Sequence, residues 1–457
     1  MSKYTAEQTS LAELAAYLDA HPATTHLDAI TFDLCGIARG KRYPRAEVEK
    51  LFTGGFQFPY SVFLLDVTGS NSDAGGRGFS DGDPDGLCLP VPGTLMPTPW
   101  AGEGAAQVLV GMVEPDGSPA MVEPRNIAAA AVARFAELDL TPVVAFELEF
   151  ALLDPAHAGR GAPLPPVSPL TGLRDDGTQV YGMDEVGGFA DLFAEVAGAG
   201  ARQGLPISVA TAEYGPGQYE INLHHVDSAL AAADHCALLR HLVKGVARRH
   251  GVRATFMSKP SLDRTGNGMH VHMSLLDAEG RNVFADEAAA GSERLRHAIG
   301  GLLDTMPDAM ALFAPNINAY RRFAPRLYVP VTRSWGVNNR SVAVRVPAGP
   351  PQSRRFEHRV AGADANPYLV LAALLAGVHR GLTEGIEPGP PARGSACDTM
   401  DDTIPFSLER ALARLEASSS VAPWLGEGYA RLYCETKRAE LARFMNFISP
   451  REYEWYL

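Results

Sequence analysis

The chain has 457 residues, 46% of them hydrophobic and 20% charged, a composition that indicates a folded globular protein and excludes a disordered chain or a coiled coil. Its formal net charge of −13 disfavours bulk association with nucleic acid or an anionic membrane. The five cysteines form no CxxC pair, and neither a secretory signal pattern nor a membrane-length apolar run is visible, so we expect a cytoplasmic protein without disulfides.

The N-terminal part of the chain is predicted to be a small, mostly β domain spanning residues 1–118. Its first 20 residues carry leucines at helical spacing and predict an amphipathic helix. A long loop rich in glycine and aspartate is expected over residues 69–93. Strands are expected in LDAITFDL (27–34), GIARGKRY (36–43), SVFLLDV (61–67) and LVGMVEPDGSP (109–119).

A second pattern begins near Pro124, which suits the first turn of a helix, and predicts a domain over residues 119–457. Helices are expected at 190–203, 228–249, 292–305, 367–384, 407–416 and 428–447. Strands are expected at 143–153, 219–223, 269–276, 341–347 and 355–360, and loops at 155–178 and 386–405. The alternation predicts an α+β fold in which a curved antiparallel sheet is flanked by helices.

Two of these strands place polar groups on a single face. In VVAFELEFALL, Glu147 and Glu149 share one face of the strand, because alternate side chains point the same way. In TGNGMHVHMSL, His270 and His272 do the same. Taken alone, each pattern also fits a solvated sheet face or a satisfied histidine pair in the core.

Two further segments add acidic and basic groups. In RRFEHRV, Glu357 and Arg359 share a face, although an isolated pair of this kind is usually a surface ion pair. In EYGPGQYEINLHH, Glu213 and Glu220 flank a Gly-Pro-Gly turn, which can fold both carboxylates toward one point or can be a simple loop.

Together these segments supply five glutamates and a histidine that could bind metal. Oxygen-rich ligation with little nitrogen and no sulfur favours Mg²⁺ or Mn²⁺ over zinc, and two ions would share these carboxylates. Divalent ions and several arginines are typical of sites that catalyse phosphoryl transfer. No Walker loop is present, so ATP would be held by metal ions and arginines. The arginines in question are Arg321, Arg322, Arg340, Arg345 and Arg359, of which Arg321 fits ordinary surface charge.

In combination and in this order, the motifs resemble the type I glutamine synthetase superfamily. The resemblance covers FELEF, GPGQYEIN, NGMHVHMSL, NAYRRF, NNRS-x₃-R, EHR and ADANPYL. Within the superfamily, FPYSVFLLDVTG, GDPDGLCLPVPGTL and RVAGADANPYL resemble the bacterial γ-glutamylpolyamine and γ-glutamylputrescine synthetases. The resemblance implies an N-terminal β-grasp domain, a catalytic domain whose strands form a funnel, and a homo-oligomer of hexameric rings, stacked as a dodecamer. The tail ISPREYEWYL resembles the strap that crosses between rings.

The resemblance also implies a role for each motif residue, with glutamate, ATP and an amine as substrates. The implied ligands of a first metal ion are Glu149, Glu213 and Glu220, and those of a second are Glu147, His270 and Glu357. The implied glutamate-binding residues are Gly266, Arg322 and Arg359, and the implied ATP-binding residues are His272, Ser274, Arg340 and Arg345. The residues implied in catalysis are Arg340, Arg359 and Glu357.

The sequence departs from a true glutamine synthetase where ammonium would bind. The family captures this cation with an Asp in an FDGSS-type stretch and a Glu on a flap, but the corresponding stretches here read FPYSVF (58–63) and PRLYVP (325–330). Tyr328 occupies the position of the flap glutamate. Without either anion the site lacks both attraction for ammonium and a base to deprotonate it. A larger primary amine is therefore expected, with Tyr328 and Tyr181 near its channel.

The leading hypothesis is an ATP-dependent ligase that joins the γ-carboxylate of glutamate to putrescine or another polyamine, through γ-glutamyl phosphate, in amine catabolism. Catabolic use fits the absence of tyrosine between Tyr368 and Tyr429, where the adenylylated enzymes of this family carry one. Alternatives are ligation to a monoamine such as ethanolamine, isopropylamine or an aromatic amine, glutamine synthesis from ammonium, and a non-catalytic scaffold or sensor. A metal hydrolase or cupin-type oxygenase is a further alternative.

Overall fold

The computed structural model describes residues 3–157, 163–175, 177, 179–426 and 428–457, and two β-sheets organise this part of the chain. The smaller sheet has the order β2-β1-β6-β4-β3, with β5 beside β6, and is antiparallel except where β1 runs parallel to β6. Its strands are β1 (His26–Phe32), β2 (Ala38–Pro44), β3 (Phe56–Pro59), β4 (Asp85–Pro90), β5 (Met96–Pro97) and β6 (Ala105–Val113). Helices α1 (Lys3–Ala20) and α2 (Val48–Gly54) accompany it.

The larger sheet is a curled half-barrel with the order β12-β13-β14-β11-β7-β9-β8, and β10 pairs with β7. It is antiparallel, as predicted, except that β12 and β13 are parallel. Its strands are β7 (Thr141–Leu153), β8 (Ile207–Ala212), β9 (Gln218–Leu223), β10 (Arg253–Thr255), β11 (Met269–Leu276), β12 (Trp335–Val337), β13 (Val344–Val346) and β14 (Phe356–His358).

Helices flank the larger sheet, and α6 packs against β7 while α7 packs against α8. The helices are α3 (Pro124–Ala133), α4 (Met183–Gly187), α5 (Ala190–Arg202), α6 (Ala229–Arg249), α7 (Glu293–Phe313), α8 (Pro367–Glu384), α9 (Leu408–Glu416), α10 (Tyr429–Met445) and α11 (Pro450–Tyr456). The α+β prediction is confirmed. The division of the chain at residues 118 and 119 stays a prediction.

Several of the predicted elements differ in type or extent. The loop predicted over residues 69–93 contains strand β4 (Asp85–Pro90), and the strands predicted at 341–347 and 355–360 extend only over Val344–Val346 and Phe356–His358. The segment SVFLLDV is not a strand, because Tyr60–Leu64 forms a 3₁₀ helix in which all five residues are buried. A continuous apolar run cannot be assigned to strand or helix by periodicity, which explains the error. The helix predicted to end at residue 305 continues to Phe313 with Pro307 inside it. The chain end predicted as a strap contains the exposed helix α11.

Some predicted segments lie partly outside the described residues. These are residues 1 and 2 of the N-terminal helix and residues 158–162, 176 and 178 of the loop predicted over 155–178. Among the described residues, no helix combines the length and apolarity needed to cross a bilayer.

A buried ion pair joins the helices that support the larger sheet. Arg125 near the start of α3 donates two hydrogen bonds, at 2.8 and 2.9 Å, to the carboxylate of Asp234 on α6. The Tyr368 hydroxyl at the start of α8 donates to the same carboxylate at 2.8 Å. Because Asp234 is only 5% exposed, its charge depends on these two partners for compensation. This contact fixes three helices relative to one another.

We predict that Asp234→Asn lowers the free energy of unfolding by about 3 kcal/mol, because it leaves the guanidinium of Arg125 without its buried counterion. Denaturant titration of both proteins measures the effect. Asp277→Asn is the control, since Asp277 pairs at 2.8 Å with Arg281, whose side chain is 73% exposed, and its loss should leave the midpoint unchanged. Equal shifts for both variants would contradict the prediction.

Candidate active site

Strand β7 separates charge from apolar bulk across the larger sheet. Phe146, Leu148 and Phe150 are fully buried on one face. Glu147 and Glu149 point to the other face and stay partly exposed. The alternation predicted from the sequence is therefore present, and it turns two carboxylates toward the polar face of the sheet.

The strand register extends this polar face across the sheet. Glu149 lies opposite Glu220 of β9, and Glu147 lies opposite His270 of β11. His272 lies opposite Glu357 of β14. Because directly opposed side chains on one face come within about 5 Å of each other, the register collects charged groups that are far apart in the sequence.

Glu147 is the centre of this cluster. Its carboxylate is hydrogen-bonded to His270 Nδ1 at 3.1 Å and to His272 Nε2 at 2.7 Å. Within this cluster, two groups of side chains are close enough to hold a metal ion, Glu147 with His270 and Glu220, and Glu147 with His272 and Glu357. The predicted second set of ligands paired Glu147 with His270 and Glu357, and His270 Nδ1 lies 3.8 Å from Glu357 Oε1. His272, expected to serve ATP, thus also lies among possible metal ligands.

Crowding of carboxylates shifts their ionisation. Burial and repulsion from Glu147, Glu149 and Glu213 raise the pKa of Glu220 to about 9. Burial and repulsion from Glu149 raise the pKa of Glu213 to about 7. Burial also opposes ionisation of Glu147, but hydrogen bonds from the two histidines outweigh it and hold the pKa of this carboxyl far below its usual range. A divalent cation would relieve the repulsion that raises the first two values.

Arginines surround the far side of the cluster. Glu357 is 1% exposed and accepts a hydrogen bond from Arg345 at 2.9 Å and another from Arg359. Burial opposes ionisation of Glu357, yet Arg359 lowers the pKa of this carboxyl. Arg340 donates to the hydroxyl of Tyr181 at 2.8 Å, which places the predicted amine-site tyrosine beside a predicted catalytic arginine.

Gly266 and Arg322 form a tight backbone junction at the edge of the site. Arg322 is 3% exposed and donates to the carbonyls of Val360 at 2.8 Å and Arg359 at 3.2 Å. A side chain at position 266 would come within 2.4 Å of the Ser258 carbonyl oxygen, so only glycine fits. Arg321 is exposed and lies outside this junction, in agreement with its interpretation as an ordinary charged surface residue.

A single cavity of about 1140 Å³ joins these groups. Every site residue predicted from the sequence lines it. They are Glu147, Glu149, Tyr181, Glu213, Glu220, Gly266, His270, His272, Ser274, Arg322, Tyr328, Arg340, Arg345, Glu357 and Arg359. Of the described residues that line the cavity, none comes from the segment 58–63. The structure therefore brings the predicted residues together, while the role of each stays a prediction.

The cavity also contains residues that sequence reasoning missed. Arg355 donates to His272 Nδ1 at 3.1 Å, and strand alternation from Glu357 and Arg359 could have identified it. Tyr214 lies in the turn after β8, where no periodic pattern marks it, and its ring stacks with that of Tyr328 at a centroid distance of 6.3 Å. The lining of the cavity thus contains more aromatic side chains than predicted.

Comparison with known proteins agrees with this geometry. The family model described as "Glutamine synthetase, catalytic domain" matches residues 121–456. The γ-glutamylputrescine synthetase PuuA of Escherichia coli is 40% identical over 97% of this chain and 94% of its own length. A glutamate–isopropylamine ligase of Pseudomonas sp. is 32% identical over 95% of each chain.

Solved structures agree with the sequence matches. A GmaS/ADP complex has a TM-score of 0.83 and 28% sequence identity, and it covers 97% of this chain and 99% of that one. The catalytic-domain match, the full-length relatives and the cluster of carboxylates and arginines identify the chain as an enzyme, a ligase that belongs to the glutamine synthetase family.

Proposed function

We propose that this enzyme uses ATP to join the γ-carboxylate of glutamate to a primary amine, with putrescine or a related polyamine as the natural amine. The observation that carries the proposal is one cavity lined by carboxylates, histidines and arginines together with Tyr328. The relative at 40% identity is named for putrescine, and this supports the choice of amine.

The donor set of the cavity fits two hard divalent cations. We assign Glu149, Glu213 and Glu220 to one ion, and Glu147, His270 and Glu357 to the other. Carboxylate oxygens with one or two imidazoles suit Mg²⁺ or Mn²⁺. When bound, these ions supply charge neutralisation for the phosphates of ATP.

The arginines then act on the transferring phosphoryl group. The γ-carboxylate of glutamate attacks the γ-phosphorus of ATP, which releases ADP and forms γ-glutamyl phosphate. Arg340 and Arg359 would stabilise the charge on the transferring group, because guanidinium forks match phosphate oxygens. Gly266 and Arg322 would orient glutamate, while His272, Ser274 and Arg345 would orient ATP.

The amine completes the reaction at the carbonyl carbon. Its nitrogen attacks γ-glutamyl phosphate as the neutral amine, phosphate leaves with the electron pair of the C–O bond, and the nitrogen releases one proton to solvent as the amide forms. An aromatic side chain at position 328 cannot attract free ammonium as a carboxylate would, but it can contact the body of a larger amine. This supports an alkylamine substrate over ammonium.

A monoamine is the second candidate substrate. Relatives at 32% identity are named glutamate–isopropylamine ligase and γ-glutamylethanolamide synthetase.

Phosphate release from ATP with glutamate, Mg²⁺ and single amines tests the proposal. The panel contains ammonium, putrescine, spermidine, ethanolamine, isopropylamine and aniline. Turnover with putrescine or spermidine and little with ammonium is the expected result. Turnover with monoamines and not with putrescine or spermidine would favour the second candidate, ligation of glutamate to a monoamine. Silence with every amine would favour a scaffold or sensor, and phosphate release without ATP-dependent amide formation would favour a hydrolase.

We also propose a cytoplasmic, ring-shaped homo-oligomer. All five cysteines lie in the described part of the chain as free thiols, which supports a reducing compartment. The C-terminal end exposes a run of large apolar side chains, which supports burial against another copy of the chain. These side chains are Phe447, Ile448, Tyr453, Trp455, Tyr456 and Leu457.

Metal binding should tighten as pH rises from 6 to 9. The raised pKa values of Glu213, about 7, and Glu220, about 9, mean that the metal-free protein retains protons that an ion must displace. Apparent affinity should rise roughly tenfold per pH unit for each displaced proton. For the same reason the metal-free protein should lose stability as pH rises through these values.

Titration of Mg²⁺ against the thermal midpoint at several pH values measures this dependence. Glu220→Gln should flatten the part of the curve above pH 7, because the proton with the higher pKa is then absent. An affinity of the unmodified protein that is the same at pH 6 and pH 8 would contradict the assignment.

We predict that Tyr328→Glu restores use of ammonium. A carboxylate at this position attracts the cation and accepts its proton, so kcat/KM with ammonium should rise by about tenfold or more. With putrescine it should fall, because the aromatic contact is lost. Steady-state kinetics with both amines measures the change, and Tyr328→Phe is the matched control. Faster turnover of a bulky amine with none of ammonium would contradict the assignment of this site.

We predict that Trp455→Glu shifts the assembly to smaller species, because a charge would then lie in an apolar contact between copies. Light scattering after size exclusion measures the mass. Glu454→Gln, at an exposed polar position on the same helix, is the control and should leave the mass unchanged. An unchanged mass for Trp455→Glu would contradict a role for α11 in contacts between copies of the chain.

A further inference from the structure

Two tyrosines form an aromatic pair on the wall of the cavity. The rings of Tyr214 and Tyr328 stack with an interplanar angle of 29° and a centroid distance of 6.3 Å. Both residues line the cavity, and they are 44% and 58% exposed. Aromatic side chains that line a cavity and are exposed to this extent are available to contact a ligand.

A rigid turn holds Tyr214 in place. The backbone amide of Glu213 donates to the carbonyl of Gln218 at 2.9 Å, and the side-chain oxygen of Gln218 accepts from the Gly215 amide at 2.9 Å. The side-chain nitrogen of Gln218 donates to the carbonyl of Gly266 at 2.9 Å. The hydroxyl of Thr265 also donates to Gln218. The turn that carries Tyr214 is therefore tied to the junction at Gly266.

A strained loop presents Tyr328. Arg326 and Tyr328 have φ angles of 64° and 52°, in the left-handed region that a bulky residue rarely adopts. The loop is anchored on both sides, because the Arg326 amide donates to the carbonyl of Cys397 at 2.8 Å and Val329 is buried. Strain of this kind persists where the surroundings over-determine the backbone, and it often marks a ligand contact.

The position of the pair relates it to the reacting end of the amine. Tyr214 is adjacent in the chain to Glu213, and both residues line the cavity together with Tyr328 and the carboxylate cluster. A substrate whose nitrogen reacts near the cluster would lay its carbon chain against these two rings. The exposed ring faces carry negative electrostatic potential, which attracts a cation at the other end of that chain.

We propose that Tyr214 is a specificity-determining residue that, with Tyr328, receives the carbon chain and the second ammonium group of a linear diamine. This inference rests on the proposed function and names its substrate class more narrowly. Tyr214 supplies the ring face that the distal cation contacts, and Tyr328 extends the wall. Recognition of the second charge then depends on the ring faces and needs no carboxylate beside them.

A comparison of two amines distinguishes contact of Tyr214 with the second ammonium group from its contact with the carbon chain of the substrate. Putrescine and n-butylamine share a four-carbon chain, and only putrescine has a second ammonium group. In Tyr214→Leu we expect KM for putrescine to rise about tenfold with kcat changed less than threefold, because an apolar side chain remains but the ring is lost. KM for n-butylamine should rise less than threefold, and Tyr214→Phe should restore the value for putrescine.

A second exposed apolar position provides the control. Leu262→Ala removes a side chain that is 69% exposed and does not line the cavity, so KM for putrescine should stay unchanged. Equal losses with both amines in Tyr214→Leu would overturn the assignment of the distal charge. An unchanged KM would overturn any role for Tyr214 in amine binding. Use of ammonium alone by the unmodified enzyme would overturn the proposed function itself, and this outcome is distinct from the other two.

Discussion

The active-site cavity depends on one constraint, the repulsion among carboxylates gathered on a single sheet face. Glu147, Glu149, Glu220 and Glu357 reach this face from three strands, and Glu213 reaches it from a turn. The raised pKa values of Glu213 and Glu220 show that the face resists full ionisation without added positive charge. Divalent cations would remove this resistance. The same alternation that buries the phenylalanines of β7 creates the cluster, so fold and site share one pattern.

The remaining parts of the cavity are arranged around that negative centre. Arg345 and Arg359 balance the buried charge of Glu357, and they remain next to the place where phosphate oxygens would lie. Tyr214 and Tyr328 add a stacked aromatic pair to the lining of the same cavity. The lining of the cavity therefore combines anionic, cationic and aromatic side chains.

Sequence reasoning succeeds where local periodicity carries the information. Strand β11 and helix α8 have the predicted bounds because their apolar residues repeat with clear periods and Asn366 caps the helix. It fails where tertiary contacts decide. The buried segment Tyr60–Leu64 has no alternation to read, and Pro307 is a stop signal that packing overrides. All predicted site residues meet in one cavity, but the stacking of Tyr214 depends on how two distant turns meet, which no local pattern encodes.

Transfer of oxygen from glutamate to phosphate would reveal whether the reaction passes through γ-glutamyl phosphate. Glutamate labelled with ¹⁸O in its γ-carboxylate is incubated with ATP, Mg²⁺ and putrescine, and the released phosphate is analysed by mass spectrometry. We expect one labelled oxygen per phosphate. The carboxylate oxygen that attacks the γ-phosphorus stays bonded to phosphorus when the amine displaces phosphate. Phosphate released without label would contradict an acyl-phosphate route, and with it the assignment of this cavity to glutamate–amine ligation.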